Sequence, residues 1–289
     1  MIAEAFFLAA TSRAVRTMTN TIFDSEKAGE YYDDANVSTF YQQCWGGEDI
    51  HIGLYSTGKE TVADASAAMT RHLLERAGIV AGLEVLDIAC GFGGTLRTLA
   101  RLGCRVKGID ISEKCVDHAG KGNARAGLTD RIEVKVGDFH SIDSAPGAWD
   151  AVICQEAIIH SPNRPRVFAE VHRILRPDGV FAFSDILTGQ EADISKVEAA
   201  FARLGASADA TISSYLKMAE EAGLEILHVE ERLSDIKTHY DKLADHLAKP
   251  DSGLDPEAVA SISRSISYWL SALSNGDITW ACFVARKPV

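Results

Sequence analysis

The sequence predicts an α/β chain: a doubly wound, mostly parallel seven-stranded sheet whose final strand runs antiparallel. Three observations carry this. From about residue 60, short apolar runs alternate with segments of helical period. The first of those runs closes on a glycine-rich turn at 89–94. The last follows two helical stretches in succession, so it can return beside the penultimate strand in the opposite direction. Strands alternating with helices of this length form right-handed β-α-β units. Ligands in such sheets bind outside the carboxyl ends of the strands.

The elements follow in order. A helical pattern at 62–77 leads to a buried strand at 83–89, a helix at 95–102 and a strand at 105–109. A helix at 114–126 ends at Gly127, before strands at 132–136 and 151–154. A helix at 165–175 stops at the Arg176-Pro177-Asp178-Gly179 turn, and a fifth strand occupies 180–184. Beyond 187 the rhythm loosens. A helix at 213–222, a strand at 225–229, helices at 235–248 and 255–273, and a strand at 278–285 complete the chain. The short stretch between the fifth and sixth strands leaves little room for a large substrate-binding cap.

The 289 residues, 46% hydrophobic and 24% charged, suffice for one large domain. Residues 1–20 are expected to be a disordered extension and 21–289 a single domain. The apolar run at 2–10 lacks a preceding basic residue and is too short to span a membrane. A net charge of -12 disfavours nucleic acid and anionic membranes as partners. Six cysteines with no C-x-x-C pair imply neither a zinc site nor a disulfide framework, and a reduced, cytoplasmic setting is expected. His51 beside Glu48 and Asp49 reads as loop hydrogen bonding, so no metal is expected.

Four features fall at four successive strand ends. In Leu86-Asp87-Ile88-Ala89-Cys90-Gly91-Phe92-Gly93-Gly94, the glycines let the backbone turn tightly and approach a ligand. Asp110 ends the next strand, 23 positions after Asp87, where a carboxylate can accept ribose hydroxyls. Asp138 and Phe139 end the third, offering a carboxylate for an adenine amino group and a ring beside the base. Gln155-Glu156 opens the loop after the fourth.

This pattern resembles the class I S-adenosylmethionine-dependent methyltransferases and their Rossmann-like fold, with Ala89 in place of the first motif glycine. The resemblance implies that Gly91 and Gly93 face the methionine portion of S-adenosyl-L-methionine, with Asp87 orienting the loop or the amino group. Asp110 would hold the ribose, Ile111 would pack on adenine, and Asp138 and Phe139 would contact it. S-adenosyl-L-homocysteine would be the product.

Two further strings narrow the likeness. W-G-G-E-D-I-H-I-G-L-Y at 45–55 and Q-E-A-I-I-H-S-P at 155–162 resemble sarcosine/dimethylglycine N-methyltransferases of glycine betaine synthesis. Likeness runs from about 31 to 287. It implies N-terminal lid helices at about 24–75, with Tyr41 and Trp45 covering the cofactor. Tyr32, Tyr41, Trp45 and Tyr240 are candidates for an aromatic cage around a cationic nitrogen. His160, Gln155 and Tyr32 are the catalytic candidates, because an imidazole titrates near neutrality and could take a proton from a substrate ammonium. Glu156 and Arg164 are further substrate-binding candidates, with Arg166 nearby. The expected partner is a small-molecule amine, and the expected state a monomer or homodimer. The expected acceptors are sarcosine and dimethylglycine, with glycine a further candidate. Another small-molecule N- or O-methyltransferase, of natural-product or phosphoethanolamine type, is the alternative, and a non-catalytic cofactor-binding protein the more distant one.

Overall fold

The structure, a computed structural model, describes residues 35–46, 48–203, 206–249 and 254–289. Tyr31, Tyr32 and the extension expected at 1–20 lie outside the described residues. Seven strands form one sheet: β1 (Glu84–Asp87), β2 (Arg105–Asp110), β3 (Ile132–Val136), β4 (Trp149–Gln155), β5 (Leu175–Thr188), β6 (Glu225–Glu231) and β7 (Ile278–Arg286). Their order is β3-β2-β1-β4-β5-β7-β6. Pairing is parallel from β3 through β5, and β7 is antiparallel to both β5 and β6. The final strand therefore takes an inner place, buried along almost its whole length, and β6 forms the edge. The expected 176–179 turn survives as an irregularity at the head of β5, where Asp178 has φ 61° and pairing jumps from Leu175 to Val180.

Nine helices are described: α1 (Ala35–Cys44), α2 (Val62–Arg76), α3 (Gly94–Leu102), α4 (Glu113–Arg125), α5 (Arg164–Ile174), α6 (Ile194–Arg203), α7 (Ile212–Glu221), α8 (Leu233–Leu247) and α9 (Pro256–Asn275). Two apolar layers flank the sheet. On one face, Phe168 of α5 and Tyr215 of α7 pack with Phe181, Phe183 and Phe283. The other face takes α2 and α3, and carries Met69, Leu73, Leu96, Leu99 and Trp280. Side chains that alternate across β7 divide between the two layers, as the strand period requires.

The short stretch after β5 contributes little to a cap, as its length implies, but one forms elsewhere. α8 packs on α9, α1 and α2, and α9 packs on α6, so a helical layer does cover one face. Its main helices come from the connection between β6 and β7, while the stretch after β5 adds only α6, which the sequence pattern missed. Tyr240 of α8 stacks on Trp269 of α9 with ring centroids 5.4 Å apart, and Phe201 of α6 lies 5.5 Å from Trp269.

Candidate active site

A cleft of about 710 Å³ opens at the carboxyl ends of β1 to β4. Ala89, Gly91, Asp110 and Ile111 line it from the ends of β1 and β2. Asp138 and Phe139 line it from β3, and Gln155, Glu156 and His160 from the loop after β4. Asp87 faces a smaller recess of about 280 Å³, shared with Glu48, Asp49, His51 and Thr95.

Local chemistry sets these positions. Asp110 is buried at the end of β2, where Oδ2 accepts the Gly91 N–H at 2.8 Å and Oδ1 the Ser112 N–H at 3.0 Å. One carboxylate thus shapes the glycine turn and the entry to α4. Gly91 needs glycine, because its φ is 50° and a Cβ would stand 2.9 Å from Ile50 Cδ1. Gly93, expected to face the ligand, instead caps α3 at φ 82°, against Arg97 and Ala119. Its place in the motif is a turn requirement.

The segment 48–55 lies over this turn. Glu48 O accepts the Gly94 N–H at 3.0 Å, and the Glu48 carboxylate pairs with buried Arg97. Arg97 also donates to Phe92 O and Asn123 Oδ1. On the far side, the Ile52 N–H donates to Glu156 Oε2 at 2.6 Å. Glu156 Oε1 accepts from Ser184 Oγ at 2.6 Å and Trp280 Nε1 at 2.9 Å. Glu156 is also one of two non-glycine residues with positive φ among the described residues, at 48°. Three donors hold it in that conformation.

The recess is electrostatically tense. Burial pushes the Asp87 carboxyl up to about 7, with Asp110 adding repulsion against the N–H of Ala89. Burial alone would depress His51, but Asp49, 3.6 Å from Nε2, and the charge of Glu156 raise it to about 9. At that separation Asp49 is an ion-pair neighbour, and His51 donates from Nδ1 to Ile52 O and hydrogen-bonds Thr70 Oγ1 through Nε2. Asp49 Oδ1 and Gln155 Nε2 are buried here with no hydrogen-bond partner. Gln155 Oε1 accepts from Thr95 Oγ1 at 2.9 Å.

Other expected residues fall elsewhere. Tyr41, Trp45 and Tyr240 are buried in the apolar layer and do not line the cleft, so no cage forms from them. Trp45 instead donates to His51 O at 3.0 Å and packs on His239, with centroids 4.6 Å apart. These aromatics brace the segment 48–55 from behind. Arg164 is turned away from the cleft and buried, bound to Asp209, Ile159 O and Ser207. Arg166 donates to His140 O and pairs with Glu170. Sequence reading missed His140, which lines the cleft and links Asp138 Oδ1 to Ser161 Oγ, at 2.7 Å each. The His140 hydrogen bond holds the Asp138 carboxyl below its usual range despite partial burial. Its only signal was adjacency to the Gly-Asp-Phe turn.

Comparison with known proteins agrees with this arrangement. Residues 85–179 match a methyltransferase domain model. The chain is 32% identical over 276 residues to a dimethylglycine N-methyltransferase of Parasynechococcus marenigrum, covering 93% of this chain and 99% of that one. It is 30% identical over 272 residues to a sarcosine/dimethylglycine N-methyltransferase of Halorhodospira halochloris, covering 91% and 96%. The chain belongs to the sarcosine/dimethylglycine N-methyltransferase family. A crystal structure of a candidate sarcosine dimethylglycine methyltransferase from Galdieria sulphuraria superposes on this methyltransferase with TM-score 0.83 and 31% identity, covering 89% of this chain and 99% of that one. The enzyme is thus an S-adenosylmethionine-dependent methyltransferase, with its cleft at the strand ends where the fold places ligands. Among the described residues, no helix is long and apolar enough to cross a membrane.

Proposed function

We propose that this methyltransferase methylates the nitrogen of sarcosine and dimethylglycine, forming glycine betaine and S-adenosyl-L-homocysteine. The observation that carries the reading is where the two family-specific strings meet. Segments 45–55 and 155–162 join over one end of the cleft through the Ile52–Glu156 hydrogen bond.

The residues fit S-adenosyl-L-methionine. Asp49 Oδ1 and Gln155 Nε2 are buried without hydrogen-bond partners beside Asp87, a donor and acceptor set suited to an amino-acid head. Gly91 presents backbone alone to the cleft. Asp110 would take the ribose hydroxyls, Ile111 and Phe139 the faces of adenine, and Asp138 its edge. When bound, this cofactor would supply an electrophilic methyl group on a sulfonium, with S-adenosyl-L-homocysteine as the leaving group.

The chain's own work is alignment and dehydration. Glu156 fixes the loop after β4 against the lid, and Ile50 closes apolar surface over Gly91. His160, at the cleft wall on a short 3-10 turn, would accept the proton that the substrate ammonium must lose. Six buried cysteines, none of them in a disulfide, and the acidic composition support a reduced, cytoplasmic setting. A mass-spectrometric product assay with glycine, sarcosine, dimethylglycine and phosphoethanolamine supplied separately tests the substrate. Dimethylglycine should yield betaine, and sarcosine should pass through dimethylglycine. Turnover of none of the three glycine derivatives overturns the assignment.

A further inference from the structure

Away from the cleft, α2, β6 and β7 bring together side chains that methyl transfer does not use. His72 Nε2 lies 2.8 Å from Glu230 Oε2, and His228 Nε2 lies 3.3 Å from the same oxygen. Cys282 Sγ is 4.0 Å from it, and the donor atoms of His72, Glu230 and Cys282 all lie within 4.8 Å of one another. Register explains the convergence. Glu230 pairs with Cys282 across the β6–β7 ladder, and His228 sits two residues along on the same face. His72 reaches this face from α2.

We propose that His72, His228, Glu230 and Cys282 bind a divalent transition-metal ion, with zinc the ion that this donor set fits best. Two imidazoles, a carboxylate and a thiolate are borderline-to-soft ligands that exclude magnesium and calcium. Zinc–ligand bonds of about 2.0–2.3 Å place tetrahedral donors about 3.3–3.6 Å apart. The donor atoms of His72, Glu230 and Cys282 already lie within 4.8 Å of one another, and His228, whose Nε2 is 3.3 Å from Glu230 Oε2, completes the set by a larger side-chain movement. Supporting contacts are present as well. Arg232 holds Glu230 Oε1 and is itself tied to Asp235, leaving Oε2 facing the cluster. Such outer partners orient a ligating carboxylate. Arg76 Nε, 3.9 Å from Oε2, is half-exposed and free to swing into solvent. On binding, Cys282 releases its thiol proton to solvent, and each imidazole moves its proton from Nε2 to Nδ1. None of the four residues lines the cleft, so the ion would be a staple between a helix and the sheet edge.

The test titrates chelator-treated full-length enzyme with Co²⁺, followed by Zn²⁺. One equivalent of Co²⁺ should produce a near-ultraviolet sulfur-to-metal charge-transfer band and the strong visible bands of tetrahedral cobalt, and Zn²⁺ should abolish both. Cys282→Ser should remove the sulfur band. His72→Ala, at a partly exposed helix position, should weaken binding by about tenfold or more. Zn²⁺ should raise the melting temperature of the wild type and of neither variant. Circular dichroism and methyl-transfer rate check that each variant is folded, and if Cys282→Ser fails that check, His72→Ala and His228→Ala decide. Absence of the sulfur band at saturating Co²⁺, its persistence in Cys282→Ser, or unchanged affinity in the histidine variants overturns the site.

Discussion

Glu156 satisfies three donors with two oxygens, and no isostere does the same. Glutamine has one acceptor oxygen, so its amide nitrogen would face either the Ile52 N–H or the Ser184 and Trp280 donors. Each unmet buried donor costs about 1–3 kcal/mol. Glu156→Gln should therefore destabilise the fold by about 2 kcal/mol in urea unfolding and reduce kcat/KM sharply. An activity and midpoint equal to wild type would show that the residue is not the clasp. His51 makes a different prediction. Its pKa of about 9 exceeds the ordinary value near 6.5 because Asp49 and Glu156 outweigh burial. The stabilisation is fully present below about pH 6.5 and is lost as pH rises through about 9. Thermal melts of the ligand-free enzyme should show that loss, and His51→Gln should flatten it. A variant that loses stability over the same window as wild type contradicts the assignment.

At the scale of elements, the site is a junction between the lid segment and the start of α3. A Cβ at Gly94 would stand 2.1 Å from Asp49 Oδ1 and 2.6 Å from Glu48 O. Gly94→Ala must displace the lid, while α3 itself gains a better helix former. Calorimetric titration should show cofactor affinity falling about tenfold or more with the far-ultraviolet spectrum unchanged, since poorly held ligands lose several-fold for each lost contact. Unaltered affinity would mean the lid takes no part in binding. The acidic rim of the cleft and recess was legible in the sequence because Asp87 and Asp110 close strands and Asp138 follows one, and parallel β-α-β order puts strand ends on one rim. The aromatic lid was not. Density of Tyr and Trp at 41–45 reads equally as a binding cage or as core, and what decides is α8, far along the chain, whose His239 and Tyr240 cover Trp45. His140 lay in a loop with no period to mark which way it points.

For the whole molecule, charge is the property that reaches furthest. The chain carries a net charge of -12, and of its acidic residues Asp49, Asp87, Asp110 and Asp138 gather in the recess and cleft around the proposed cofactor. The fold as a whole was legible because seven strands and their crossovers leave one plausible winding. The placement of the cap on the β6–β7 connection was not, since helices there pack by tertiary contact between α8, α9 and α6, which a local pattern does not encode. Charge, by contrast, transfers directly from sequence to behaviour. S-adenosyl-L-methionine carries one positive charge more than S-adenosyl-L-homocysteine, on sulfur, so an acidic field should favour reactant over product. Raising salt from 0.01 to 1 M shortens the screening length from about 30 to about 3 Å, removing the long-range share of that field. A potential of about one kT acting on one charge is worth about threefold in affinity. The ratio of the two dissociation constants, measured by titration at both salt concentrations, should therefore shift by about threefold against the reactant at high salt. An unchanged ratio would confine the preference to short-range pairs such as those at Asp49 and Asp87, where screening does not reach.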